Sequence, residues 1–290
     1  GGQLALIFVS DWHIVGVQGV LLAMILSIPF SMVLGYIGGS VLNRAKGREM
    51  ITSMILGYFI NGVYQLLVLY AMGVVIPLTD SKILLSSGRG VRNTIDLGKL
   101  NAALDKFISF KLLNMEIPVV TILFILALCI FIMWFRSTKL GQDMRAIGQD
   151  MEVARSSGIE VDKTRIIAIM ISTVLAGIGQ VIYLQNIGTM NTYNSHEQIG
   201  MFSIAALLIG GASVAKASIP NALGGVVLFH LMFVLAPRAG KELMGSAQIG
   251  EYFRVFVSYG IIALVLIMYE WRAQKEKEAE RERLIQEQLK

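Results

Sequence analysis

The chain has 290 residues, of which 55% are hydrophobic and 16% charged, with a formal net charge of +5. An ordinary soluble domain carries about 25% charged residues, so a deficit concentrated in long segments points to a polytopic membrane protein. The single cysteine, Cys129, rules out an internal disulfide framework, and His13, His196 and His230 are too scattered for metal-ligand spacing.

A spanning helix needs about 20 mostly apolar residues. In chain order the candidates are 14–42, 50–77, 117–135, 166–187 and 252–271. The apolar stretch 199–236 is interrupted at SVAKASIP and divides into two shorter helices, 199–213 and 219–236, with a turn around Lys216. Residues 3–9 read as the stump of a further helix. The opening GGQLALIFVS has neither an initiating methionine nor a signal-peptide n-region, so an additional segment is expected before it. Pro77, Pro118, Pro220 and Pro237 fall at span ends, where a missing N–H costs little, and Pro29 is internal. The fold class is therefore all-α, with about seven transmembrane helices over residues 1–271.

Seven spans put the two chain ends on opposite sides. If loop 43–49, segment 136–165, Lys216 and the tail share a face, that face holds 16 of the 25 Lys and Arg. The positive-inside rule then makes this face cytoplasmic and 78–116 an extracytoplasmic loop. Residues 272–290 read as a charged cytoplasmic helix, with Lys277–Glu280, Glu278–Arg281 and Glu280–Arg283 in supporting spacing.

The expected spans lack intramembrane carboxylates, and His230 is their one titratable imidazole. A carrier driven by an ion gradient usually keeps a carboxylate near the midplane. No GxxxxGK[ST] phosphate loop occurs either, so the chain has no such grip on ATP. What the spans do offer is neutral polarity. Asn61, Tyr64 and Gln65 lie on one helix, Gln180, Tyr183, Gln185 and Asn186 on another, and Asn221 on a third. Asn61, Tyr64, Gln65, Gln180, Tyr183, Asn186 and Asn221 are the candidate lining of a path for a polar neutral solute. The plainer role for each is a hydrogen bond between neighbouring helices, and the 29 glycines argue for close helix packing. A passage without an energy source implies a partner on the cytoplasmic side.

Segment 139–165, KLGQDMRAIGQDMEVARSSGIEVDKTR, resembles the cytoplasmic loop of importer-type ABC permeases serving ribose, galactose, nucleosides and branched-chain amino acids. The shared elements are Gly141, the RAIGQD block at 145–150, Ala154 and the SGIEV block at 157–161. The resemblance continues in STVLAGIGQVIYL (172–184) and AALLIGGASVAKASIPNALGGVVL (205–228), and upstream in AKGREMITSMILGYF (45–59). It covers roughly 45–70 and 136–270. Where the sugar branch has more glycine this chain has VAKAS at 214–218, and Gly57 stands where the nucleoside branch often has Asn.

The resemblance implies the fold of an ABC-importer permease in the bacterial cytoplasmic (inner) membrane. Its implied partners are an ATPase subunit carrying ATP and Mg, an extracytoplasmic solute-binding protein, and a second permease copy or paralogue. No cofactor on this chain, no nucleic acid and no catalytic residue is expected. The cargo expected is a monosaccharide, with a nucleoside, branched-chain amino acid or vitamin as alternatives and an autonomous carrier or channel as the competing class.

On its own terms the segment suits docking. Gly141 and Gly148 should break it into short pieces. A helix from Asp150 to Ser157 should follow, capped by Asp150, favoured by Glu152 at its positive end, and closed by Gly158 as the C′ residue. Met151 and Ala154 would share an apolar face, rimmed by Asp150, Glu152 and Arg155. Arg145, Gly148, Gln149, Asp150, Met151, Glu152, Ala154, Arg155, Gly158 and Ile159 are the candidate ATPase-coupling residues. With six basic and five acidic residues over 136–165, protein contact is favoured over a helix lying on lipid headgroups.

Overall fold

The computed structural model describes residues 1–271 except 46, 81, 87, 113–114, 214–215, 247, 251, 254, 258, 261–262, 265–266 and 268–270. The expected tail helix 272–290 and nine of the 20 residues of the expected span 252–271 lie outside the described residues. The chain forms two compact units, Gly1–Ser195 and His196–Lys290.

The first unit begins with α1 (Gly2–Asp11) and α2 (Gly16–Arg44), the latter containing Pro29. Next comes α3 (Glu49–Leu66), which runs on into a π-helical turn at Leu67–Ala71. The span expected at 50–77 is thus shorter, because Gly73 at φ 86° turns the chain back. After α5 (Val119–Ser137) come α6 (Lys139–Gln149), α7 (Met151–Ser156) and α8 (Val161–Ile187). Gly188, at φ 75°, ends α8 in the left-handed conformation that glycine adopts without a steric penalty.

The centre of this unit is the crossing of α2 and α8. Ser27, Ser31, Gly35 and Gly39 recur every four residues along one face of α2. A Cβ on Gly35 would sit 2.8 Å from Met170 Cα, and one on Gly39 3.0 Å from Ile166 Cα. Small residues let the two backbones touch, which is how helices associate where lipid removes the hydrophobic drive. By contrast, α5 has no buried residue, and α3 has few, so both present apolar surface outward.

The connection expected as an extracytoplasmic loop, 78–116, is folded. Its β1 (Thr94–Asp96) pairs antiparallel with β4 (Thr189–Asn191), Ile95 opposite Met190. Helix α4 (Ala103–Phe107) and the hairpin of β2 (Ser109–Leu112) with β3 (Met115–Pro118) lead into α5. Val91, Ile95, Leu97, Leu100 and Leu104 are buried in one core with Leu6, Ile7, Val20, Val181 and Leu184. This cap closes the end of the α1–α2–α8 core.

Helix α9 (Ser195–Ile209) leads into the second unit, which continues with α10 (Ile219–Met244). Helix α9 has 15 residues. Helix α10 does not stop at Pro237 as expected from the sequence. It continues to Met244 and ends at Gly245, φ 70°. Proline removes one helical hydrogen bond without setting a boundary, and here seven further residues follow it in the helix. Gly210 lies against Asn221 and Gly225 against Ala206, so α9 and α10 also cross at small residues. Among the described residues, five helices are long and apolar enough to cross a membrane: Gly16–Arg44, Ile51–Ala71, Val119–Ser137, Val161–Ile187 and Ile219–Leu243.

Candidate functional site

The charged segment begins with a sharp corner between α5 and α6. Thr138, extended at φ −72° and ψ 160°, caps α6 by accepting from the Gly141 N–H and donates its own hydroxyl to Phe135 O at 2.6 Å. A side chain at 141 would run into Phe135 O and lie 2.9 Å from Arg136 Cα. Glycine at this position is therefore a requirement of close approach.

Neither Gly141 nor Gly148 interrupts α6, contrary to the sequence expectation. Gly141 lies in the first turn and Gly148 next to the last residue, where few intrahelical bonds depend on them. The break falls at Asp150, extended at φ −154° and ψ 117°. Its Oδ1 accepts from the N–H groups of Glu152 (2.8 Å) and Val153 (3.0 Å). Gly158 at φ 84° closes α7, with its N–H donating to Arg155 O. A six-residue helix cannot persist on propensity alone, so these two end devices define it.

Of the candidate coupling residues, Arg145, Gly148, Gln149, Asp150, Met151, Glu152, Arg155 and Gly158 are exposed and Ile159 is half-buried. Ala154 is not where the sequence put it. It is 3% exposed and turned into the chain's own fold, while Met151 is 41% exposed. The outermost apolar side chain of α7 is Val153, 61% exposed, which sequence reasoning missed. Its signal was an isolated apolar residue within a charged, capped turn. The exposed apolar side chains of α7 are thus Met151 and Val153, which two-residue spacing sends to different sides of the helix.

The segment is tied to the rest of the unit through the start of α8. Arg155 pairs with Asp162 at 3.8 Å, and the Asn43 amide donates to Asp162 O at 2.6 Å. Arg165 Nη2 donates to Glu49 Oε1 at 2.9 Å. The Glu49 carboxyl is held below its ordinary range, first by its own backbone N–H at the start of α3 and then by the Arg165 guanidinium. Loop 43–49 and segment 139–165 therefore meet at one end of the first unit.

The polar path candidates divide between the units. Asn61, Tyr64 and Gln65 lie on α3, with the Tyr64 hydroxyl donating to Thr192 O at 2.9 Å. Gln180, Tyr183 and Asn186 lie on α8. Gln180 is buried, and its Nε2 has no hydrogen-bond partner among the described residues. Asn186 is exposed and accepts from Gln185 Nε2, while Gln185 accepts from the Leu104 N–H and so anchors the cap. Tyr64 and Tyr183 pack against the same core. Asn221 belongs to the second unit, where its amide donates to Gly210 O at 2.7 Å and it bonds Ser218, latching α9 to α10.

The family model of the branched-chain amino acid transport system permease component matches residues 2–267, nearly the whole chain. The chain belongs to this permease family. With its five apolar helices, the permease is a multi-pass protein of the bacterial inner membrane. It is 27% identical over 199 residues to the nucleoside ABC transporter permease protein NupB of Lactococcus lactis, covering 66% of this chain and 50% of that protein. It is 29% identical over 161 residues to LivH of Salmonella typhimurium, a high-affinity branched-chain amino acid transport system permease protein, covering 55% and 46%. The xylose transport system permease protein XylH of Haemophilus influenzae shares 28% over 131 residues, covering 45% and 33%. The permease spans about half the length of the first of these curated relatives, and less of the others. No solved structure matches it.

Proposed function

We propose that the chain is the membrane-spanning subunit of an ABC importer, forming the path for a small polar solute while a separate subunit hydrolyses ATP. The observation that carries this reading is α7, a short helix fixed at both ends by Asp150 and Gly158 that holds Met151 and Val153 outward. The exposed Val153 side chain among Asp150, Glu152 and Arg155 fits a shallow groove on a protein partner, with the charges setting register. The spanning helices supply the complement: among the described residues their charged side chains sit in or near the end turns, which leaves no mid-span carboxylate for an ion gradient to act on.

In this reading ATP and Mg belong to the partner. ATP binding draws the α6–α7 segment toward the ATPase, and the spanning helices respond by opening the path to one side or the other. An extracytoplasmic binding protein delivers the solute to the capped end, and a second permease copy or paralogue completes the path. Asn61, Tyr64, Gln65, Gln180, Tyr183 and Asn186 supply neutral donors and acceptors suited to hydroxyl-bearing or amide-bearing solutes, and Asn221 serves by holding α9 to α10. We put a monosaccharide first as cargo, because neutral hydroxyl and amide groups can exchange hydrogen bonds with sugar hydroxyls. Relatives are named for nucleoside, branched-chain amino acid and xylose transport, so these classes are the competitors.

Gly148→Pro tests the reading. Proline there removes a helical bond and distorts the last turn of α6, at about 3 kcal/mol. Uptake in proteoliposomes containing the ATPase and binding protein should fall to background. Uptake that survives the substitution, or runs on a pH gradient without ATP, contradicts the reading.

A further inference from the structure

We infer that Arg165 is a positioning residue through which displacement of α7 reaches α3. The inference rests on the importer reading above and names the connection that reading needs. Arg165 is the fifth residue of α8, and its side chain is only 17% exposed. One guanidinium nitrogen donates to Glu49 Oε1 at 2.9 Å, and Glu49 is the first residue of α3. The other lies 3.7 Å from the sulfur of Met151, the first residue of α7. A planar guanidinium can hold two partners in a fixed relation, which a lysine ammonium on a flexible stem does not do.

The placement matters because the helices are unequally attached. Helices α2 and α8 meet backbone to backbone at Gly35 and Gly39, and Gly177 of α8 lies against the Ser31 side chain of α2, so the two helices move together. Helix α3 buries almost nothing against its unit. Its polar ties include Glu49 to Arg165 at one end and Tyr64 to Thr192 toward the other. A helix with so little buried surface responds to a pull on an end. Met151 starts the helix that the partner would grip, and Glu49 starts the helix that carries Asn61, Tyr64 and Gln65. Neighbouring charges are otherwise engaged: Arg155 with Asp162 at 3.8 Å and Lys163 with Glu160 at 3.3 Å.

The test uses the whole transporter in proteoliposomes, with uptake per ATP hydrolysed as the readout and ATPase co-purification as the assembly control. Arg165→Ala and Glu49→Gln should each lower uptake per ATP about fivefold or more, the lower end of typical inter-site coupling, with co-purification unchanged. Arg165→Lys, which keeps charge but loses the fork, should lie between wild type and Arg165→Ala. If both Arg165→Ala and Glu49→Gln keep uptake per ATP within about twofold of wild type, the inference is overturned. If Arg165→Ala fails to assemble, Glu49→Gln decides alone: an unchanged ratio shows Arg165 to be structural only. A wild-type chain that never assembles with an ATPase instead overturns the importer reading, and this inference with it.

Discussion

Replacing Asp150 by alanine isolates the device that makes α7 a helix. Asp150 Oδ1 accepts two backbone N–H groups, at 2.8 and 3.0 Å, that have no helical partner of their own. Loss of such a cap costs about 1 kcal/mol, which lowers the ratio of formed to frayed helix about fivefold. Six residues offer little propagation to offset that loss. Hydrogen exchange on the purified protein should therefore show the Glu152 and Val153 amides exchanging about fivefold faster, with the amides in the middle of α8 unchanged. Energised uptake should fall in parallel, because Met151 and Val153 lose their fixed presentation. Asp150→Asn keeps a cap acceptor and should behave nearly as wild type in both assays. The reasoning is refuted if alanine leaves exchange at 152–153 unaltered, or if asparagine is as damaging as alanine, since the charge and not the cap would then matter.

Other outcomes follow from the same geometry. Gly158→Ala meets no atom within 4 Å, so its cost is purely the φ of 84°. That is about 1–2 kcal/mol, read as faster exchange at Ser157 and Ile159. Gly35→Val would force the α2–α8 crossing apart at Met170 and should destabilise by about 1–3 kcal/mol in a detergent thermal melt. Gly57→Ala, with open space around it, should be neutral or stabilising by up to about 1 kcal/mol. Glu49 titrates below its ordinary 4.5, so its contribution is complete above pH 4.5 and is lost as acid protonates it through the lower folded value. Melting curves from pH 7 to 5 should show no Glu49-dependent change, and below 4.5 wild type should lose stability that Glu49→Gln has already lost. Tyr64→Phe removes the bond to Thr192 O and should cost about 1 kcal/mol, measured in the same melt.

What the sequence disclosed was local. Asp150 and Gly158 set the ends of α7 through bonds that span a few residues, and both were readable from residue type alone. The long apolar helices were legible for the same reason, since hydropathy needs no partner. Contacts between distant residues were not. Glu49 and Arg165 are 116 positions apart, and neither carries a local sign of the other. The pairing of β1 with β4 joins residues 94–96 to 189–191, so segment 78–116 looked like a plain loop. Ala154 seemed to share a face with Met151 by helical spacing, but packing of α7 against the chain buried it. Pro237 seemed a boundary by residue type, yet α10 carries it internally.

The central claim, that α7 is the grip for an ATPase, is tested most directly by a photo-crosslinking amino acid at position 153 in membranes containing the whole transporter. The account predicts an adduct with a subunit bearing a GxxxxGK[ST] phosphate loop, with a yield that changes when ATP is added and falls in Asp150→Ala. Adducts with lipid alone, unchanged by ATP, would contradict it.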